Sequence, residues 1–346
     1  MFPLNPQTLE SFLEVYYMST GVGLLSGGLD SILAISVLKD QNIHIEAVAF
    51  ITPFFGPNNA QKAVKMLNVP LHVVDITDVH LQMLKKPKHG YGSGMNPCID
   101  CHALMFREAG KLMQQWGADF LFSGEVLGER PMSQNKNSLK IVARESGYEE
   151  YILRPLSAKL LPMTRPELEG KVDRERLLDF QGRSRKRQME LAKQYGITEY
   201  PEPAGGCRLT EPNFSKRIKD LMTHHANFSV RDIELLKVGR HVRLNEQVKC
   251  IVGRNEQENI KIEELHRPGD ILIAPEEIPG PAVLIPALES GSLLSPELLM
   301  LAASICARYS DAPAGTAVEL NISRNEKSDK LSALPCAQGL TEELII

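Results

Sequence analysis

The stretch that most constrains this chain is Ser26-Gly27-Gly28-Leu29-Asp30-Ser31. It follows the apolar run Val22-Gly23-Leu24-Leu25 and precedes Ile32-Leu33-Ala34-Ile35-Ser36-Val37-Leu38. That order reads as strand, tight glycine loop, helix. Adjacent glycines let the backbone approach an anion closely and can adopt positive φ. The first N–H groups of the following helix point at the same place, and the helix dipole favours negative charge there. Ser26 and Ser31 add hydroxyl donors. The local expectation is a phosphate site. A Walker A loop would need a lysine here, and none stands in the stretch. A dinucleotide fingerprint fits Gly21 and Gly23 but would need a third glycine where Ser26 stands.

Strands and helices then alternate. Ile43 to Ile51 is β-rich, residues 59–67 have helical apolar spacing, and Leu71 to Asp75 is a third strand. Residues 101–116 read as a helix, Asp119 to Ser123 as a fourth strand, and Tyr151 to Leu156 as a fifth. This alternation predicts an α/β domain: a Rossmann-like parallel sheet with helices on both faces. In such sheets ligands sit at the carboxyl ends of the strands, so the loops after strands one, three, four and five should converge on one crevice. A short helix is expected ahead of the loop, over residues 9–17, and another near 182–195. Beyond the turn-rich Tyr200-Pro201-Glu202-Pro203-Ala204-Gly205-Gly206-Cys207 the pattern changes. A linking helix near 213–225 is followed by short β-rich segments at 241–244, 248–252, 260–265, 270–274 and 282–286. A helix capped by Ser295 with Pro296 in its first turn comes next, then a strand at 317–322. The expected division is an N-terminal helix (1–18), an α/β domain (19–210), a linking helix (211–228) and a smaller C-terminal α+β domain (229–346).

With 43% apolar and 24% charged residues, the composition is that of an ordinary globular protein. The net charge of −4 supplies no global field for nucleic acid, so any such contact must be a local basic patch. No apolar run is long enough to span a bilayer. Residues 1–18 lack Lys and Arg and contain Glu10 and Glu14, unlike a signal peptide. The expectation is a cytoplasmic chain, whose six cysteines are then thiols, metal ligands or catalytic groups rather than structural disulfides. Cys98 and Cys101 form a Cys-x-x-Cys pair in a loop leading into a helix, and Cys207 follows Gly205-Gly206. Three cysteines with one open position suit an iron–sulfur cluster. They equally suit a redox pair with a persulfide carrier, or a zinc site with His102 as fourth ligand. Cys98-x-x-Cys101-His102 also spells a haem attachment signal, which usually implies export and is set aside. Cys250 and Cys306 lie in apolar runs and read, with Cys336, as buried small hydrophobes.

The loop matches the Ser-Gly-Gly-x-Asp-Ser of the PP-loop (N-type) ATP pyrophosphatases. Together with Asn96-Pro97-Cys98-x-x-Cys101, it resembles the tRNA thiolation enzymes of that family, the 4-thiouridine synthetases and 2-thiouridylases. Gly124-Glu125-Val126-Leu127-Gly128 with Ser133-Gln134, Arg154-Pro155-Leu156, and Pro203 to Cys207 resemble further segments of these proteins in the same order. Val238 to His241 and Val252 to Asn255 resemble the RNA-binding domain of ribosome-quality-control factors. The longer 4-thiouridine synthetases carry an RNA-binding module ahead of the loop, where about twenty residues stand in this sequence, so the RNA bound is left open.

The resemblance implies an adenine nucleotide alpha-hydrolase-like fold that transfers sulfur to a tRNA uridine through an adenylated intermediate. Ser26, Gly27, Gly28, Leu29, Asp30 and Ser31 would hold the ATP phosphates with Mg²⁺, Asp30 capping the helix or orienting the metal shell. Adenine would lie near Phe50, and Gly124 would border the nucleotide. Cys98, Cys101 and Cys207 would carry the sulfur, on a [4Fe–4S] cluster or as a persulfide. Arg130 and Gln134 at the crevice mouth, and the basic run Arg183, Arg185, Lys186 and Arg187, are candidate RNA contacts. The implied partners are tRNA and a sulfur donor, either sulfide or a persulfide-generating desulfurase, with a homodimer as one allowed assembly. A small-molecule acceptor and a non-catalytic RNA or nucleotide binder are the competing readings.

Overall fold

The computed structural model describes residues 19–201, 207–287, 294–325 and 327–346. The helix expected over 9–17 and the segment from Pro203 to Gly206 lie outside them. The chain divides into two compact units. The first holds the described residues up to Gly92 and from Pro97 to Pro201; the second holds Ser93–Asn96 and the described residues from Cys207 to Ile346.

The first unit is built on five parallel strands: β1 (Thr20–Leu24), β2 (His44–Ile51), β3 (Leu71–Asp75), β4 (Phe120–Ser123) and β5 (Ile152–Leu153). Their order is β3-β2-β1-β4-β5. Its helices are α1 (Leu29–Lys39), α2 (Asn58–Leu67), α3 (Thr77–Lys85), α4 (Cys98–Trp116), α5 (Lys136–Ser146), α6 (Arg165–Leu168) and α7 (Lys186–Gln194). Side chains alternate across β4. Phe120 and Phe122 join a core with Leu33 and Ile35 of α1, Ala60 of α2 and Ala192 of α7, while Leu121 joins Val22, Phe106, Met113 and Val142 on the opposite face. Both faces are therefore covered, as a parallel sheet requires. The chain order reverses at β1, and the crevice at the carboxyl ends of β1 and β4 is the place where ligands bind in such sheets.

The second unit is a six-stranded antiparallel sheet of order β11-β10-β8-β9-β7-β6. Its strands are β6 (Arg240–Arg243), β7 (Lys249–Val252), β8 (Ile271–Pro275), β9 (Val283–Ile285), β10 (Val318–Arg324) and β11 (Lys327–Ala333). They are accompanied by α8 (Pro212–His224), α9 (Val230–Leu236), α10 (Glu256–Glu264), α11 (Pro296–Arg308) and α12 (Gln338–Leu344). Ala302, Ala303 and Ile305 of α11 pack on one sheet face, and Leu235 of α9 with Ile262 of α10 on the other. Cys250 and Cys306 are fully buried in this core, where burial pushes both thiols up to about 12.

Three local expectations are corrected. Residues 260–264 belong to α10, with Leu265 as its C-cap, rather than to a strand. Their alternating apolar pattern mimics one, but Asn255 caps a helix there by accepting from the Glu258 N–H, and Ile260 faces solvent. The fifth strand stops at Leu153, because Pro155 has no N–H to donate and the Arg154 side chain turns inward to Glu125. The Cys98–Cys101 pair lies on the first turn of α4, not in the loop before it.

Candidate functional site

The glycine loop leaves β1 at Leu25, whose N–H donates to Val48 O at 2.9 Å. Gly27 takes φ +77°, and a Cβ there would collide with the backbone of Asn59 and Ala60 at the start of α2. Gly28 is the N-cap of α1 and has no side-chain cap. Ser31 Oγ donates to Gly28 O at 2.8 Å, and Ser26 Oγ accepts from Gly28 N at 3.3 Å. A Cβ at Gly124 would collide with the backbone of Asp30 and Ser31, so the chain leaving β4 runs directly against the loop. The first N–H groups of α1, which have no partner inside the helix, open at this junction.

Asp30 does not cap α1, contrary to the expectation. It is the second helical residue and is largely buried. Burial raises its carboxyl above the ordinary range against the opposing pull of Arg185, and its Oδ1 has no hydrogen-bond partner among the described residues. Glu129 stands close enough that burial and the Asp30 charge push it up to about 7. Arg130 follows Glu129, and its charge acts on both acids. Gln134 is buried; its side-chain oxygen accepts from Arg130 N at 3.1 Å and its main-chain oxygen from Gly128 N at 2.7 Å. It therefore shapes the loop that carries Glu129 and Arg130. The Phe50 side chain is buried with Val22, Val48, Phe106 and Leu121, whereas Ile51 and Thr52 at the end of β2 are half-exposed.

The cysteine pair is joined to this junction through α4. Cys98 and Cys101 sit one turn apart on one face of its first turn. Cys101 Sγ lies 3.5 Å from Nε2 of His80 on α3. His80 is fully buried beside the rings of Phe54 and Phe55, and burial pushes it down to about 4, so it is a neutral imidazole at pH 7. The next residue, His102, places Nδ1 2.8 Å from Glu125 Oε1. Glu125 Oε2 accepts from Arg154 Nε at 2.8 Å and from Ser123 Oγ at 3.1 Å. Burial works to raise the Glu125 carboxyl, but Arg154 and His102 overrule it and hold it at about 2. Glu125 directly follows Gly124, so this network ties the start of α4, the end of β4 and the end of β5 to the phosphate loop.

Cys207 is half-buried and opens the second unit, its carbonyl accepting from Thr210 N at 3.1 Å and from Thr210 Oγ1 at 2.7 Å. Among the described residues of the first unit, no three His, Cys, Asp or Glu side chains are grouped to hold a metal ion. The basic run divides. Arg183 and Lys186 are exposed, Arg185 is half-buried, and Arg187 is engaged by Asp179 Oδ1 at 2.5 Å and by the Phe180 ring at 4.4 Å. His80 and Gln188 are the site neighbours that the sequence left unnoticed, and Glu129 stood in a matching segment without a role. Glu125 and Arg154 were visible only as parts of matching segments, without roles. Among the described residues no helix is long and apolar enough to cross a membrane.

Fold and loop together define the class: a Rossmann-like α/β domain with a glycine loop at its switch point and a Cys-x-x-Cys pair on a helix joined to it. Residues 17–159 match the family model of the thiamine biosynthesis protein ThiI. Residues 239–343 match that of the NFACT protein RNA binding domain. The resemblances read from the sequence are borne out, each for its own segment. A probable tRNA sulfurtransferase of Caldanaerobacter subterraneus subsp. tengcongensis is 27% identical over 46% of this chain and 50% of its own length. One from Thermotoga maritima is 30% identical over 39% of this chain and 35% of its own. The tRNA-specific 2-thiouridylase MnmA of Sulfurimonas denitrificans is 29% identical over 30% and 33%. The chain thus spans about half the length, or less, of these curated relatives. A solved 4-thiouridine synthetase–RNA complex with bound ATP superposes with a TM-score of 0.33, at 19% identity over 52% of each chain; a likeness at that level carries no argument.

Proposed function

We propose that this chain is an ATP-dependent tRNA sulfurtransferase. One observation carries the reading. The phosphate loop and the Cys98–Cys101 helix are locked into one crevice by the adjacent residues Gly124 and Glu125. Nucleotide activation and sulfur delivery need that proximity, because the carbon bearing the adenylated oxygen must meet sulfur before water reaches it. The similarity to the ThiI family over residues 17–159 and to named tRNA sulfurtransferases supports it.

In this reading the Ser26–Ser31 loop and the start of α1 bind the ATP phosphates, and adenine lies at the end of β2 beyond Phe50. A uridine carbonyl oxygen attacks the α-phosphorus; the new O–P bond forms as the α–β phosphoanhydride bond breaks, and pyrophosphate leaves. Adenylation turns a poor leaving oxygen into AMP. A sulfide-level sulfur then adds to the same carbon, and AMP departs with the C–O bond electrons. Mg²⁺ would neutralise phosphate charge beside Asp30. Cys98, Cys101 and Cys207 hold the sulfur source. The three-cysteine donor set favours a [4Fe–4S] cluster, which would supply a sulfur-binding iron, over a persulfide, which needs fewer thiols. The RNA is bound by the C-terminal unit and by the exposed Arg183 and Lys186.

The test is nucleoside mass spectrometry on tRNA from a strain lacking the gene. The expected result is loss of one thiolated nucleoside, restored by wild type but not by Cys207→Ala. In vitro, pyrophosphate release should depend on added tRNA. An unchanged nucleoside profile together with tRNA-independent release would reject tRNA and favour a small-molecule acceptor. Iron and acid-labile sulfide in anaerobically prepared protein are expected, and their absence would leave the persulfide route.

A further inference from the structure

We propose that Arg185 and Gln188 complete the phosphate site by binding the pyrophosphate end of the nucleotide against the Ser26–Ser31 loop. The inference rests on the reading of that loop as an ATP site, and it gives Arg185 a role other than RNA contact. Gln188 of α7 is only 1% exposed; its amide is turned to the Asp30 carboxyl, and its amide oxygen has no hydrogen-bond partner among the described residues. Leaving such a group unmade is costly in a folded interior, and side chains that bear the cost usually have a use for it. The Gln188 amide faces the Asp30 carboxyl, whose Oδ1 is likewise unpartnered. Arg185, the N-cap of α7 and three residues earlier on the same face, turns its charge to the same carboxyl, and its Nε is buried without a partner.

The backbone holds this segment in place. Leu127 and Gln181 form a parallel bridge, and Gly182 N donates to Leu127 O at 2.7 Å. The same β4 loop brings in Glu129 and Arg130, whose charges both reach Asp30. One amide, two guanidinium groups and two carboxyls therefore surround the open N–H groups of α1. A bare anion would be repelled by the two acids, and a bare cation by the two arginines. The set suits a polyphosphate carrying a divalent cation. The arginines and the amide donate to phosphate oxygens, and the carboxylates face the metal shell.

The experiment is calorimetric titration of the full chain with ATP, inorganic pyrophosphate and AMP, each with Mg²⁺. Arg185→Gln and Gln188→Leu are each expected to weaken ATP and pyrophosphate by about tenfold or more, with AMP changed by less than about threefold. Gln188→Glu keeps the shape but adds a negative charge, and should weaken pyrophosphate further than Gln188→Leu does. It also serves if the leucine variant fails to fold. Wild-type pyrophosphate affinity in both Arg185→Gln and Gln188→Glu would overturn the proposal. Equal losses for AMP and pyrophosphate would overturn it too, since they mark a structural role. A wild-type chain that binds neither ATP nor pyrophosphate would overturn the nucleotide reading beneath it as well.

Discussion

Glu125 is the residue on which the buried polar network of the first unit converges. It is buried with Arg154, His102 and Ser123 around it, so its charge is matched only while all of them stay in place. Glu125→Gln leaves Arg154 buried without its counter-charge and should cost about 3–5 kcal/mol. The chain has one tryptophan, Trp116 at the end of α4, so its fluorescence in a urea titration reports on the first unit. An unchanged midpoint would show that the network is not structural. The pH response follows from the sign of the shift. The folded pKa of about 2 lies below the ordinary 4.5, so this stabilisation is complete above about 4.5 and is lost as pH falls toward 2. The wild-type midpoint should fall through that window, and the Gln variant should fall less. No single stretch of sequence announced this residue's role, because its three partners lie 2, 23 and 29 positions away.

At the scale of elements, the strand–glycine loop–helix turn was readable because strand, glycines and helix are contiguous, and local chemistry alone specifies such a turn. What the loop touches was not readable. Gly27 meets α2 and Gly124 meets the start of α1 through contacts that exist only once the sheet has ordered its strands. Gly27→Ala would combine a positive φ with a backbone collision, and Gly124→Ala would press on the loop. Each should cost about 1–3 kcal/mol and weaken ATP binding. ATP titration checks this, and wild-type affinity in both variants would detach the loop from the nucleotide. The Cys98–Cys101 pair reads from the sequence as part of the loop leading into the helix. In the structure Pro97 is the N-cap, and the helix begins with the thiols. Residues 260–265 misled for the complementary reason: a six-residue alternation cannot outweigh a cap five residues upstream.

For the whole molecule, a net charge of −4 means that any RNA affinity must come from local groups. Replacing Arg183 and Lys186 with glutamine should weaken tRNA binding and reduce the slope of log K against log salt by about two. An unchanged slope would remove these residues from the interface. Sequence alone determined the α/β class, the position of the glycine loop, the thiol pair and the change to a second kind of domain near Cys207. Each is written in periodicity or in neighbouring residues, which act before any long-range contact forms. Tertiary structure decided the rest: that His80 meets Cys101, that Glu125 gathers Arg154 and His102, and that Gln188 faces Asp30. Those pairings arise from strand order and helix packing, which bring together side chains far apart in the chain, and spacing along the chain carries no record of them.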